Sequence, residues 1–127
     1  MENLKPKILL AEDDHFLSVA LGDKLEREGF TVFKSLNGAE TLIKAKESKP
    51  DLILLDLIMP QKTGFQVLEE LKQDEELKTV PVIILSNLGQ ESDIEKAKSL
   101  GAVDYLVKSD VQMGEVVAKL KTYLKQV

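Results

Sequence analysis

The sequence predicts an α/β domain in which helices cover both faces of a doubly wound parallel sheet. Three observations carry that reading. Strand-like and helix-like segments alternate five times along the 127 residues. Three of the strand-like segments are continuous apolar runs, as expected of parallel strands covered on both faces. Those runs end in acids or a hydroxyl, and ligands of such sheets bind beyond the carboxyl ends of the strands.

The elements follow in order. Ile8-Leu9-Leu10-Ala11 is the first strand. Residues 15–28 repeat apolar side chains at Phe16, Leu17, Ala20, Leu21 and Leu25, which is helical spacing, and Gly29 ends that helix. Phe30 to Phe33 is rich in β formers and makes the second strand. Asn37, with Glu40 three residues on, opens a helix that runs to about Ser48, where Pro50 stops it. Residues 51–56, DLILLD, are the third strand. Thr63 and Gln66 resemble a capping box, and Phe65, Leu68 and Leu71 line one face of the helix that follows. Val80 to Ser86 is the fourth strand, with Pro81 near its start, where proline is tolerated. Ser92 and Glu95 cap a helix ending at Leu100-Gly101, and Asp104 to Lys108 is the fifth strand. Val116, Val117, Leu120, Tyr123 and Leu124 mark the last helix. Right-handed crossovers between the strands give the doubly wound form.

Composition narrows the class. The length suits one domain over residues 1–127, and 43% hydrophobic content supports a real core. There is no cysteine, so disulfides and thiolate metal sites are excluded. No apolar segment approaches a membrane span, and Met1 to Lys7 has no signal-peptide core, so a cytoplasmic protein without membrane contact is expected. A net charge of −5 argues against direct nucleic-acid binding. The 31% charged residues read as a solvated, salt-bridged surface, and Lys44, Lys46 and Lys49 as one solvated helix face.

The strand ends carry chemistry. The first ends in Glu12-Asp13-Asp14, the third in Asp56, the fourth in Ser86-Asn87 and the fifth in Lys108. Clustered carboxylates repel unless a cation is present, and oxygen-only ligands suit Mg2+, with Mn2+ the other choice. A metal clamped by Asp13 and Asp56 can hold phosphoryl oxygens, and aspartate is a nucleophile toward phosphoryl groups. Phosphoryl transfer needs mostly positioning and charge neutralisation. Lys108 adds positive charge, and Ser86 can donate a hydroxyl hydrogen bond to a phosphoryl oxygen. Asp56 is thus expected to be a phosphate acceptor, exposed at the mouth of its strand.

These motifs resemble a response-regulator receiver domain of two-component signalling, of the single-domain kind that resembles chemotaxis regulators. They are ILLAEDD at 8–14, DLILLDLIMPQKTG at 51–64, PVIILSN at 81–87 and GAVDYLVKSD at 101–110. The resemblance implies a flavodoxin-like fold with strand order 2-1-3-4-5. It implies that Asp56 is the phosphorylated residue and that Glu12 and Asp13 are the acidic pair, Asp13 touching the metal and Glu12 acting through water. The Ile58 backbone carbonyl would be a further metal ligand, Ser86 and Tyr105 the switch pair, and Lys108 the phosphate-contacting lysine. Met59, Pro60 and Gly64 match the loop after the acceptor, and Asp14 either joins the site or caps the next helix. The implied partners are a sensor histidine kinase or phosphotransfer protein and a downstream protein target. On this reading the chain is a phosphorylated signalling domain rather than an enzyme with turnover beyond its own phosphorylation and dephosphorylation. Phosphorylation would bias the surface of the fourth helix, fifth strand and fifth helix.

Two departures stand out. Ser109 occupies the place where the family usually has proline, often after a cis bond; a trans bond or a strained loop is expected, with a possible change in the reach of Lys108. Asn87 stands where a small residue is usual and could crowd the phosphoryl group. An excised receiver of a longer regulator, or a degenerate receiver serving as an interaction module, are the alternatives. Toprim-type and haloacid-dehalogenase-type sites need an Asp-x-Asp pair that neither Asp56-Leu57-Ile58 nor Asp13-Asp14-His15 provides. His15, the sole histidine, reads as a first-turn surface residue, and Met113 as packing on the sheet.

Overall fold

The computed structural model describes residues 5–124. The reading of the first four residues, and of anything past Leu124, lies outside them. The described chain alternates strand and helix throughout: β1 Lys7–Ala11, α1 His15–Arg27, β2 Thr31–Ser35, α2 Gly38–Ser48, β3 Leu52–Leu55, α3 Gly64–Gln73, β4 Val82–Ser86, α4 Glu91–Ser99, β5 Asp104–Val107 and α5 Met113–Leu124. A short 3-10 turn, Lys108–Asp110, joins β5 to α5. The sheet is parallel in the order β2-β1-β3-β4-β5, which is the flavodoxin-like α/β fold.

Period-two alternation divides each central strand between two cores. Leu9, Ile53, Leu55, Val82 and Ile84 face α2, α3 and α4, where Ala45, Val67, Leu68, Leu71 and Ala97 meet them. Ile8, Leu10, Leu52, Leu54, Ile83 and Leu85 face α1 and α5, where Leu21, Leu25, Val116, Val117 and Leu120 meet them. Burial on both faces is why β1, β3 and β4 read as unbroken apolar runs. Met113 packs against the second core. No helix among the described residues is long and apolar enough to cross a membrane.

Most local signals hold. Asn37 caps α2 through the Glu40 N–H, and Thr63 and Gln66 form the reciprocal capping box of α3. Gly29 follows α1 at a φ of +99°. Four expectations need correction. Ser92 does not cap α4: the N-cap is Gln90, two residues earlier, with no side-chain cap bond, and the helix starts at Glu91. The second strand is shifted, because the Phe30 N–H is held by the Leu25 carbonyl, so Phe30 closes α1 and the ladder runs from Thr31 to Ser35. The buried stripe of α1 is Leu21 and Leu25 with Ser18 and Gly22, while Ala20 and Phe16 face outward; Phe16 is 86% exposed. Lys46 is not merely solvated, since its ammonium lies 2.7 Å from Asp74 and ties α2 to the end of α3.

Asp104 links β5 to α5. It accepts the Tyr105 N–H at 2.7 Å and the Tyr123 hydroxyl at 3.0 Å, and it faces Lys119 at 3.3 Å. Partial burial works to raise its pKa, but these three donors outweigh it and hold the carboxyl below the usual aspartate value. A depressed carboxyl stabilises the fold above its unfolded pKa and loses that contribution as the pH falls through the folded value. Asp104→Asn should therefore lower the urea midpoint at neutral pH. The gap to wild type should close as the pH drops below 3.8, the ordinary aspartate value. A gap that stays constant across that range would refute this role.

Candidate acid pocket at the sheet edge

Adjacent parallel strands end side by side, so β1 and β3 deliver their terminal acids to one place. Ala11 pairs with Leu55 in register, and the Asp56 N–H then donates to the Ala11 carbonyl at 3.0 Å. This brings carboxylate oxygens of Glu12, Asp13 and Asp56 all within 4.8 Å of one another. β5 is two strands away, yet its lysine spans the gap. Lys108 Nζ lies 2.7 Å from Glu12 Oε1 and 2.8 Å from Asp56 Oδ2.

Asp56 is 4% exposed, not open at the strand mouth as the sequence suggested. Its burial is tolerable because both oxygens are engaged: Oδ2 by Lys108 and Oδ1 by the Ile58 N–H at 3.2 Å. Glu12 is 1% exposed and accepts the Asp14 N–H at 3.0 Å as well as Lys108. Burial pushes the Glu12 carboxyl up, against the opposing pull of Lys108 and the Asp14 N–H. Burial likewise works to lower Lys108, but Asp56 and Glu12 prevail and raise it, so the ammonium is firmly charged. Asp13 is exposed at the mouth.

By formal charge, three carboxylates against one ammonium leave an excess of two negatives. The donor set is all oxygen. That charge and chemistry fit a hard divalent cation, which takes carboxylate, carbonyl and water ligands. The observation that tests the fit is the closeness of the three carboxylates despite their mutual repulsion.

The other predicted residues sit around this centre. Asp14 is the N-cap of α1, accepting the Leu17 N–H at 3.2 Å. Ser86 is fully buried at the end of β4 and its Oγ accepts the Leu88 N–H at 3.3 Å. Tyr105 is partly buried against the α3–α4 side core, and its hydroxyl donates to the Leu88 carbonyl. Burial, with the charges of Asp93 and Asp56, pushes that phenol up to about 12, so it stays a donor at neutral pH. The main chain of Leu88, through its N–H on one side and its carbonyl on the other, thus joins Ser86 to Tyr105. Sequence reading missed it because both contacts use main-chain atoms and no side-chain identity signals them. Every peptide bond among the described residues is trans, that after Lys108 included, and Ser109 leaves the reach of Lys108 intact. Asn87 points outward, His15 is exposed, and Ile58 is exposed on the loop after Asp56. Gly64 is required sterically: a Cβ there would lie 2.2 Å from the Asp56 carbonyl oxygen.

A parallel five-stranded sheet in this order, with three carboxylates and a lysine gathered at its carboxyl edge, places the chain among flavodoxin-like α/β domains with an acid pocket at the strand ends. The family model for the response regulator receiver domain matches residues 8–121, and the chain belongs to that family, the receivers of two-component signalling. It is 38% identical over 121 residues to the phosphate regulon transcriptional regulatory protein PhoB of Rhizobium meliloti, matching 95% of this chain and 53% of PhoB. The chain spans about half the length of that relative. It is 32% identical over 120 residues to the polar-differentiation response regulator DivK of Brucella anthropi, covering 94% of this chain and 97% of DivK. Among solved structures, the Mn2+-bound form of response regulator Rcp1 superposes with a TM-score of 0.84 at 29% identity, covering 96% of each chain.

The pocket's charge balance makes a prediction about Lys108. Removing one partner from a buried ion pair typically costs about 3–5 kcal/mol, and Lys108 should fall at the low end because its side chain keeps some water contact. Lys108→Met should therefore lower the urea midpoint in chelator. Because it leaves three facing carboxylates, Mg2+ should restore more stability to the variant than it adds to wild type. Equal Mg2+ stabilisation of the two proteins would show that Lys108 does not compensate the acids.

Proposed function

We propose that the chain is a phosphoacceptor switch in which Asp56 takes a phosphoryl group and the surface of α4, β5 and α5 reports it to a protein target. The observation that carries this reading is Asp56 itself: a nearly buried carboxylate held between Lys108 at 2.8 Å and two further acids. A purely structural aspartate has no use for two like charges beside it.

In the transfer, an Asp56 oxygen bonds to phosphorus as the phosphorus–nitrogen bond to a donor histidine breaks. The donor nitrogen keeps the electron pair and takes up a proton. Glu12, Asp13, Asp56 and the Ile58 carbonyl would hold Mg2+ or Mn2+; when bound, the cation neutralises charge on the phosphoryl oxygens. That Rcp1 is described with Mn2+ supports the choice of cation. Lys108 is placed to move from pairing acids to pairing a phosphoryl oxygen. A sensor histidine kinase or phosphotransfer protein is the donor that the family suggests. Exposed Phe16, Val19, Leu36 and Ile58, all at the sheet's carboxyl edge, favour a protein donor over a small molecule alone, because a macromolecular contact would cover them. The cytoplasm, where such kinases deliver their phosphate, is the compartment proposed.

The switch would use the Leu88 main chain. A phosphoryl group adds about two negative charges at neutral pH and draws the Ser86 hydroxyl toward it. Ser86 then releases the Leu88 N–H, the loop moves, and the Leu88 carbonyl shifts under the Tyr105 hydroxyl. The result is a population shift between two arrangements of one surface.

Two measurements test this reading. Intact-protein mass after incubation with acetyl phosphate should show one added phosphoryl group with Mg2+, none with chelator, and none in Asp56→Asn. Failure of wild type to take phosphate from acetyl phosphate or from a phosphohistidine donor would leave only an interaction module. Second, amide spectra should show phosphorylation-induced shifts at Leu88 and Tyr105 that shrink in Ser86→Ala. Equal shifts in both proteins would sink the coupling.

A further inference from the structure

We propose that the turn joining β2 to α2, from Ser35 to Thr41, is a positioning device for the acid pocket, with Gly38 its key residue; this rests on the pocket holding a divalent cation. The turn supplies no side chain to the pocket. It does touch the backbone of both limbs. The Glu12 N–H donates to the Ser35 carbonyl at 3.1 Å, and the Gly38 N–H donates to the Pro60 carbonyl at 3.1 Å. One limb carries the first acids, the other carries the loop after Asp56.

Gly38 is where the second contact is steric. A Cβ placed there would lie 2.2 Å from the Lys62 carbonyl oxygen and 2.5 Å from Lys62 Cβ. The first neighbour is main chain and cannot swing aside, so either the helix start or the loop must move. The helix start is the stiffer of the two. Ser35 and Thr41 are fully buried with hydroxyl oxygens 2.8 Å apart. Thr41 gives its proton to the Asn37 carbonyl at 2.7 Å, so Ser35 is the donor between them. Asn37 accepts the Glu40 N–H at 2.8 Å, and Glu40 in turn accepts the Leu36 N–H at 2.8 Å. The loop is the part that gives. It is closed on itself by Gly64 N–H to the Leu57 carbonyl at 2.9 Å. A push at Lys62 is therefore transmitted to Ile58, whose N–H holds Asp56 Oδ1.

The test is Mn2+ affinity of the unphosphorylated protein, read by electron paramagnetic resonance at a temperature where circular dichroism shows each variant folded. Groups that orient metal ligands typically cost about 10–100-fold in affinity when changed, so Gly38→Ala should bind Mn2+ about tenfold more weakly, and a loss below about threefold overturns the proposal. Gly114→Ala is the control: a Cβ there meets nothing within 4 Å, and its affinity should match wild type. A merely structural role for Gly38 would lower the urea midpoint and leave the affinity of the folded protein alone. If Gly38→Ala does not fold, Thr41→Val, which keeps the shape and removes the buried hydroxyl, is judged by the same threshold. Phosphoryl uptake by wild type is measured alongside. A wild type that binds Mn2+ but takes no phosphate sinks the acceptor reading, while the affinity comparison still decides the role of Gly38. A wild type that binds no Mn2+ overturns both.

Discussion

The rest of this molecule depends on one ammonium. Lys108 stands between Glu12 and Asp56, two carboxylates that are almost completely buried. Without that ammonium, two neighbouring carboxylates at the edge of an apolar sheet would bear the full cost of burying unpaired like charges. The lysine reaches them because β4 separates β5 from β3 by only one strand and because the 3-10 turn after Val107 directs its stem inward across the sheet end. The doubly wound order is what makes this possible: it sets β1 and β3 side by side, so that the residues following them meet at one edge of the sheet. The charge left over, two negatives, is then a property of the fold and not of any one residue.

The pocket divides into a rigid half and a soft half. β1 and β3 are inner strands whose side chains from Ile8 to Ala11 and from Leu52 to Leu55 are buried, and they lead directly into the acids. β4 carries Ser86, and beyond it comes the least anchored helix. α4 has one buried residue, Ala97, and no side-chain cap. Its contact with α3 includes Lys96 lying 4.4 Å from the centre of the Phe65 ring, a surface cation–π contact worth about 0.5–1 kcal/mol at such sites. Segments with few buried groups and weak caps open at lower free energy than core strands. The Leu88 loop and α4 are therefore the part of this edge that opens at the lowest free energy, which is what the proposed switch requires.

How much of this the sequence disclosed follows from what each feature uses. Side-chain identity disclosed the strands, because Leu52 to Leu55 have no reason to be uniformly apolar unless both faces are covered. It disclosed the acids, Ser86 and Lys108, because polar groups at the ends of such runs are conspicuous. Ser92 has the right chemistry for a cap, but the Gln90 carbonyl already accepts the Asp93 and Ile94 N–H groups, so the helix begins two residues earlier on main-chain bonds alone. Phe16 read as a core residue because helical spacing marks a stripe without saying which edge of it meets the sheet. The burial of Asp56 was hidden for a different reason: it arises from the neighbouring strand and a lysine 52 residues away, not from its own segment. The Leu88 link left no trace at all, since a main-chain N–H and carbonyl look the same in nearly every residue.

The substitution at Ser109 shows where this site draws its tolerance. Proline at that place would fix the backbone after the lysine. Here the fixing is done from the lysine's other end: two carboxylates at 2.7 and 2.8 Å hold Nζ, so the tip is located even though the following residue is free of a ring constraint. Charge-assisted bonds of this length are stronger than neutral ones and supply orientation as well as energy. That arrangement has a consequence. The geometry of Lys108 is set by the charge of Glu12 and Asp56, the same groups that the proposed cation and phosphoryl group would act on. The lysine supports the pocket, and on the proposed function it would also be the group that responds first to a change there, with its adjoining turn leading straight into α5.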